Sequence, residues 1–206
     1  VPSAGLGYLF WHAPPVGADR GEYEAALVDW QDALVTHPPP GYQRGWTWRL
    51  AAPPWLVGWP DEVYLDGYVV ADFTALGALN ADAPSGPLAS AHHSAARRAA
   101  YGAGALFACR TGTAGPDPCG PDTGRTDSGR TLGAGPTGEA TVYLSWHDKA
   151  AGASYDETIG ALSGEGRSVW LRQLVLGAGP ELLVVSHRDD VRSSAVWQAR
   201  AEWLVR

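Results

Sequence analysis

"GYLFWH" at residues 7–12 returns almost unchanged as "VYLSWH" at residues 142–147. The chain thus writes Tyr-Leu-X-Trp-His twice, and what surrounds each copy decides how the fold is read. In an extended strand Tyr8, Phe10 and His12 point to one side, and Leu9 and Trp11 to the other. Both sides carry large apolar groups, so this strand is expected to be buried on both faces. Tyr143, Ser145 and His147 form the corresponding set in the second copy. The two strand-end imidazoles are expected to keep some contact with water.

Outward from the first copy, "DRGEYEAALVDWQDALVTH" places Tyr23, Leu27, Trp30 and Leu34 on one helical face. Asp19 followed by Glu22 is a capping signal, and "HPPPG" stops the helix. "YQRGWTWRLAA" alternates Trp46, Trp48 and Leu50 against Thr47 and Arg49, a strand pattern, and "VYLDGYVVADF" supplies its partner. "TALGALNAD" and "PLASAHHSAARRAAY" read as helical pieces, and "GALFACR" as a closing strand. The order is β-α-β-β-α-β over residues 1–110.

Residues 111–139 are dense in Gly, Pro, Thr and Asp and hold almost no large apolar residue, so they read as a linker. Over residues 140–206 the pattern restarts in shorter form. "SYDETIGAL" answers "EYEAAL", with Tyr155 in the place of Tyr23. "RSVWLRQLVLGAG" and "PELLVVSHRDD" answer the central strand pair. "VRSSAVWQARAEWLVR" is read as a final helix, with a short strand at 203–205 as an option. The fold class expected is therefore α+β: tandem ferredoxin-like repeats packed sheet to sheet as an intramolecular α/β barrel, each burying the other's bare sheet face.

These two units resemble the dimeric α/β-barrel superfamily of ferredoxin-like proteins, here fused in one chain. The resemblance rests on element order and internal repetition and matches no diagnostic motif. It implies a small-molecule enzyme of the cofactor-independent oxygenase or isomerase type. Two alternatives accompany it: a non-catalytic ligand- or partner-binding protein, and a haem-binding protein of the chlorite dismutase-like type.

Composition bounds these options. In 206 residues the hydrophobic share is 45%, which suits a globular core, and ten tryptophans supply large apolar surfaces for core or pocket. A net charge of −7 argues against a nucleic-acid partner, which needs a basic face. No apolar run is long enough to cross a membrane, and no signal peptide is visible, so a cytoplasmic protein is expected. Cys109 and Cys119 are the only cysteines; they read as free thiols, with a disulfide across the intervening loop as the alternative. A small apolar or aromatic ligand is the expected partner, with homodimerisation an option.

For chemistry, His12 and His147 stand at matching strand ends, where each could serve as acid or base or simply close the strand. Asp66 interrupts a strand and could project into a cavity, though Asp-Gly also marks a bulge or turn. These three are the catalytic candidates. Tyr8, Trp48, Tyr143 and His92 are the ligand-binding candidates. His92, next to His93 on a helix, is also where a haem ligand would sit, although a surface His-His pair is the simpler reading. His187 is read beside Asp189 and Asp190 at a helix start. No nucleophile elbow, P-loop, zinc-protease motif or dinucleotide fingerprint occurs.

Overall fold

The computed structural model describes residues 5–110, 142–164, 167–175, 179–186, 195 and 197–205. The expected linker, His187, Asp189, Asp190 and Cys119 lie outside them. Eight antiparallel strands carry the architecture: β1 (Leu6–Ala13), β2 (Tyr42–Ala51), β3 (Glu62–Val70), β4 (Tyr101–Cys109), β5 (Val142–His147), β6 (Arg167–Val175), β7 (Leu182–Ser186) and β8 (Trp197–Val205). Four helices pack outside them: α1 (Arg20–Thr36), α2 (Phe73–Asp82), α3 (Ala89–Ala96) and α4 (Tyr155–Leu162). A short 3-10 turn at Gly86–Leu88 leads into α3.

The expected tandem ferredoxin-like repeats, packed sheet against sheet, are not what these strands form. They close into one barrel in the order β1-β3-β2-β8-β5-β7-β6-β4. β2 pairs with β8 and β4 with β6, so the strands of the two halves join edge to edge. Two separate sheets would leave open edges with unpaired N–H and C=O groups, and closure removes them.

The second difference is local. The segment read as a terminal helix is β8, which pairs with both β2 and β5. Ala, Arg, Gln and Glu favour a helix, but "WQARA" also alternates, and Trp197, Ala199 and Ala201 all join the lumen cluster. Barrel closure decides between the two periods. Among the described residues the second half therefore holds a single helix, α4.

The lumen is a packed aromatic core. Leu9 and Trp11 of β1, Trp46 and Trp48 of β2, Trp146 of β5 and Trp170 of β6 all point into it and are buried. Trp11 and Trp146, the tryptophans of the repeated pentapeptide, thus have the same inward orientation. Gly67 is required by this packing: a Cβ there would come within 2.0 Å of the Trp46 ring. The Asp-Gly pair is therefore a continuous strand position beneath an indole, and neither a bulge nor a turn.

Outside the barrel, α1 begins where expected, with Asp19 accepting from the Glu22 amide at 2.8 Å. It buries Tyr23, Leu27, Trp30 and Leu34, the stripe its periodicity predicts. α4 opens on a complete capping box between Ser154 and Glu157. Arg49 of β2 bonds Glu24 of α1 and Glu202 of β8, and Tyr64 of β3 donates to Glu24 at 2.9 Å. One charged cluster thereby ties α1 across the β2–β8 seam. No helix in the described residues is long and apolar enough to cross a membrane.

Candidate functional site

Because alternate residues of β1 fill the lumen, Tyr8, Phe10 and His12 face outward, toward the helices. On the neighbouring strand β3, Tyr64, Asp66 and Tyr68 do the same. The register sets His12 beside Tyr64, Phe10 beside Asp66 and Tyr8 beside Tyr68. On the other side of β1, Gly102 and Gly104 of β4 leave room for the rings. A Cβ at Gly102 would meet Phe10 at 2.8 Å, and one at Gly104 would meet Tyr8 at 2.7 Å. The rings consequently lie at shallow angles to one another: 31° for Tyr8–Phe10, 25° for Phe10–His12 and 25° for Tyr8–Tyr68.

This aromatic floor is roofed by α1, α2 and α3, which contribute Tyr23, Leu27, Trp30, Leu79 and His92 together with small alanines. Between floor and roof lies a mostly apolar cavity of about 200 Å³, with Asn80 exposed at its rim. It sits outside the barrel, under the helices, because the lumen is already full of indoles.

The polar groups of the cavity form one linked set. Asp66 is 3% exposed and accepts from Thr47 Oγ1 at 2.6 Å and from Tyr68 Oη at 2.5 Å. Trp30 Nε1 donates to Tyr68 Oη at 2.8 Å, and Gln31 Nε2 donates to Thr47 Oγ1 at 3.2 Å. His12 is 2% exposed, with Nδ1 2.6 Å from Tyr23 Oη. Its Nε2 lies 3.3 Å from Asp66 Oδ1, close enough for charge attraction, yet makes no hydrogen bond of proper geometry. Burial, and secondarily the Asp66 charge, push the Tyr8, Tyr23 and Tyr68 phenols upward. Tyr64 rises to about 12, through burial and its bond to Glu24. All four phenols hold their protons at neutral pH. Desolvation, and then the neighbouring His93, lower the pKa of His92.

Of the residues singled out from sequence, His12, Asp66, Tyr8 and His92 meet in this cavity. Trp48 does not: it is an inward residue of β2, fully buried in the lumen. His147 and Tyr143 face outward on β5, on another part of the barrel wall, and neither lines the cavity. His147 is as buried as His12, so neither imidazole keeps the water contact expected of it. Its Nε2 lies 3.0 Å from Ser145 Oγ. Four residues of the linked polar set were not singled out: Tyr23, Thr47, Tyr68 and Trp30. Their signal was present in part, since Tyr64, Asp66 and Tyr68 share one face of β3 at i, i+2 and i+4.

His92 is the position at which a haem ligand was considered. A cavity of about 200 Å³ lies below the ~300–1,000 Å³ usual for ligand sites and is too small for a tetrapyrrole. His92 packs edge-on against Trp30 at 5.3 Å, leaving no face for a macrocycle on that side. The residues present do not fit haem. Among the described residues, no group of three or more His, Cys, Asp and Glu side chains is placed to hold a metal ion.

No family model matches the chain, and no curated protein matches it in sequence. In three dimensions it is similar to a crystal structure of an anthrone oxidase-like protein, with a TM-score of 0.51 and 13% identity. The match covers 98% of this chain and 92% of that one. At that identity the likeness is one of fold, and it extends along nearly the whole barrel.

Proposed function

We propose that the chain is a small-molecule enzyme that oxygenates or isomerises a planar aromatic substrate without a cofactor, using His12 as the base. One observation carries this reading. A buried imidazole, fixed by Tyr23 at one nitrogen, has its other nitrogen unpaired beside a buried carboxylate, at the wall of an apolar cavity. In the tautomer whose Nδ1–H is donated to the Tyr23 oxygen, the one that the proposed base requires, Nε2 carries the lone pair. When Nε2 takes a proton, the Asp66 carboxylate 3.3 Å away stabilises the imidazolium. Thr47 and Tyr68 hold that carboxylate in place by donating to both of its oxygens.

The floor of shallowly inclined rings and the alanine-rich roof suit a flat ring system. An engineered apolar cavity of about 150 Å³ accommodates benzene, so this one encloses one or two fused rings, with any third ring extending past the rim at Asn80. The fold likeness to an anthrone oxidase-like protein suggests a substrate to try. In anthrone a methylene group lies between two aryl rings and is a weak carbon acid. Removing one proton gives an electron-rich enolate, which can pass electrons to O₂ and combine with it at that carbon. The resulting peroxide takes up a proton, and the O–O bond then breaks as the second hydrogen and the departing hydroxide leave together as one water, giving a ketone. The balance is CH₂ + O₂ → C=O + H₂O, with dioxygen as the only oxidant. The roles of His12 are to take the first proton and to return one to the departing oxygen.

The test is oxygen uptake with anthrone as probe. Wild type is expected to consume oxygen, and His12→Gln to lose about 100-fold or more of the rate, the usual value of a positioned base. His147→Gln, equally buried but away from the cavity, should retain it. Full activity in His12→Gln would overturn the base assignment. Binding of anthrone with no uptake above the uncatalysed rate would favour the second reading, a ligand-binding protein. The complete enclosure of His12 Nε2 is the observation on that side.

A further inference from the structure

Two buried polar atoms in the lining of the cavity make no hydrogen bond: His12 Nε2, already discussed, and His92 Nδ1. The others mentioned are engaged. Trp30 Nε1 donates to Tyr68, Tyr68 donates to Asp66, and Tyr23 meets His12. A buried nitrogen with no partner keeps the full cost of losing water, a penalty that phenylalanine would avoid in the same packing against Trp30. α3 offers nothing to relieve it, since its other residues at the cavity are Ala95 and Ala96. The cavity that His92 lines is where a bound ligand would supply that partner.

We infer that His92 is a specificity-determining residue, whose Nδ1 hydrogen-bonds a second oxygen substituent on the ligand, distinct from the group that meets His12. The substrate class is thereby narrowed to planar aromatics with at least two oxygen functions, hydroxyl or carbonyl. A neutral imidazole serves either, donating to a carbonyl in one tautomer and accepting from a hydroxyl in the other. Its enclosure favours that neutral form. The inference rests on the cavity being the substrate site, but it does not need His12 to be the base.

Calorimetric titration with two simple probes tests it: a naphthol, and a naphthalenediol with hydroxyls on opposite rings. Wild type should prefer the diol by about 3- to 10-fold, the worth of one hydrogen bond, beyond the factor of two from the diol's symmetry. His92→Phe should abolish that excess, bringing the diol-to-naphthol affinity ratio down to about the statistical factor of two. His92→Gln, which keeps a hydrogen-bonding group, should restore part of it. An undiminished preference in His92→Phe, or no preference in wild type, overturns the assignment. The two readings fail separately. Loss of anthrone oxidation with the diol preference intact removes the base proposal alone. Oxidation that depends on His12, with no diol preference, removes His92 alone.

Discussion

Raising the pH above about 10 should unfold this protein steeply, and the cause lies in the site. Tyr8, Tyr23, Tyr64 and Tyr68 all have pKa values above the ordinary 10.0, first through burial and then through Asp66 or Glu24. In the unfolded chain these phenols release their protons near pH 10; in the native state they keep them. Above that pH the unfolded state binds fewer protons, so the free energy of unfolding falls as pH rises. One such group gives a slope of about 1.4 kcal/mol per pH unit. Tyr23 and Tyr68 can contribute nearly all of that. Tyr8 contributes a fraction because it is only half-buried, and Tyr64 because it begins to ionise itself toward 12. The sum is roughly 3–4 kcal/mol per pH unit, beginning near pH 10 and continuing to about 12, where Tyr64 itself ionises. Against a typical total of ~5–15 kcal/mol, one unit removes a large share.

The background is favourable for such a measurement, since Lys149 is the only lysine and there are only two cysteines. Urea denaturation at a series of pH values from about 9 to 11.5 gives the slope, and tyrosinate absorbance reports which phenols titrate in the native state. Tyr68→Phe should reduce the slope by about one group's worth, while lowering stability at pH 7 through the lost bond to Asp66. A stability that is flat to about pH 11, or native phenols that all ionise near pH 10, would refute the reasoning.

Two further outcomes concern the lumen. Gly67→Ala should destabilise by at least ~1–3 kcal/mol in urea denaturation, because the new methyl group meets the Trp46 ring, itself packed on Trp48 at 5.2 Å. Trp146→Ala should cost about 3–5 kcal/mol, since its ring is 1% exposed and packs against Trp55 and Trp197; a loss below 1 kcal/mol would contradict the packed lumen.

What could be read from the sequence divides along physical lines. α1 was legible because its 3.6-residue stripe and its cap coincide, and β1, β2 and β3 because large apolar groups alternate. The barrel was not legible. Closure depends on which strand edges meet, and the side-chain pattern is the same whether two sheets stack or join at their edges. β8 was misread because a polar, alanine-rich strand satisfies helix propensity as well as alternation. In the site, Asp66 was noticed as a charge inside a strand and His12 as a strand end. Tyr23 passed as one more core residue of the α1 stripe, since nothing local says that its hydroxyl faces an imidazole. Trp48 was assigned to a pocket on the assumption that indoles line the cavity. In fact Trp48 and most other indoles pack in or against the lumen, and the cavity, which Trp30 alone of the described tryptophans lines, lies on the other side of the wall.

The repeated pentapeptide itself shows why His12, and not Trp-His as such, is the candidate. In both copies the tryptophan faces the lumen and the histidine faces outward, fully enclosed. The strand alongside makes the difference. Next to β1, register places Tyr64, Asp66 and Tyr68 opposite His12, Phe10 and Tyr8. Next to β5, it places Leu182, Val184 and Ser186 opposite His147, Ser145 and Tyr143. Leu182 and Val184 pack with Leu162 of α4 into a small aliphatic core, where the first half has a carboxylate, three tyrosines and a cavity. Tyr155, read as the counterpart of Tyr23, is exposed and donates to Glu181 instead of meeting a histidine. Its described strand neighbours are aliphatic or hydroxyl-bearing and no cavity of the kind beside His12 is lined by it, so His147 lacks the surroundings that the proposed base has. The same Tyr-Leu-X-Trp-His pattern thus meets an aliphatic neighbour in one half and, in the other, the carboxylate and cavity on which the proposed acid–base role rests, according to what the adjacent strand and helix place over it.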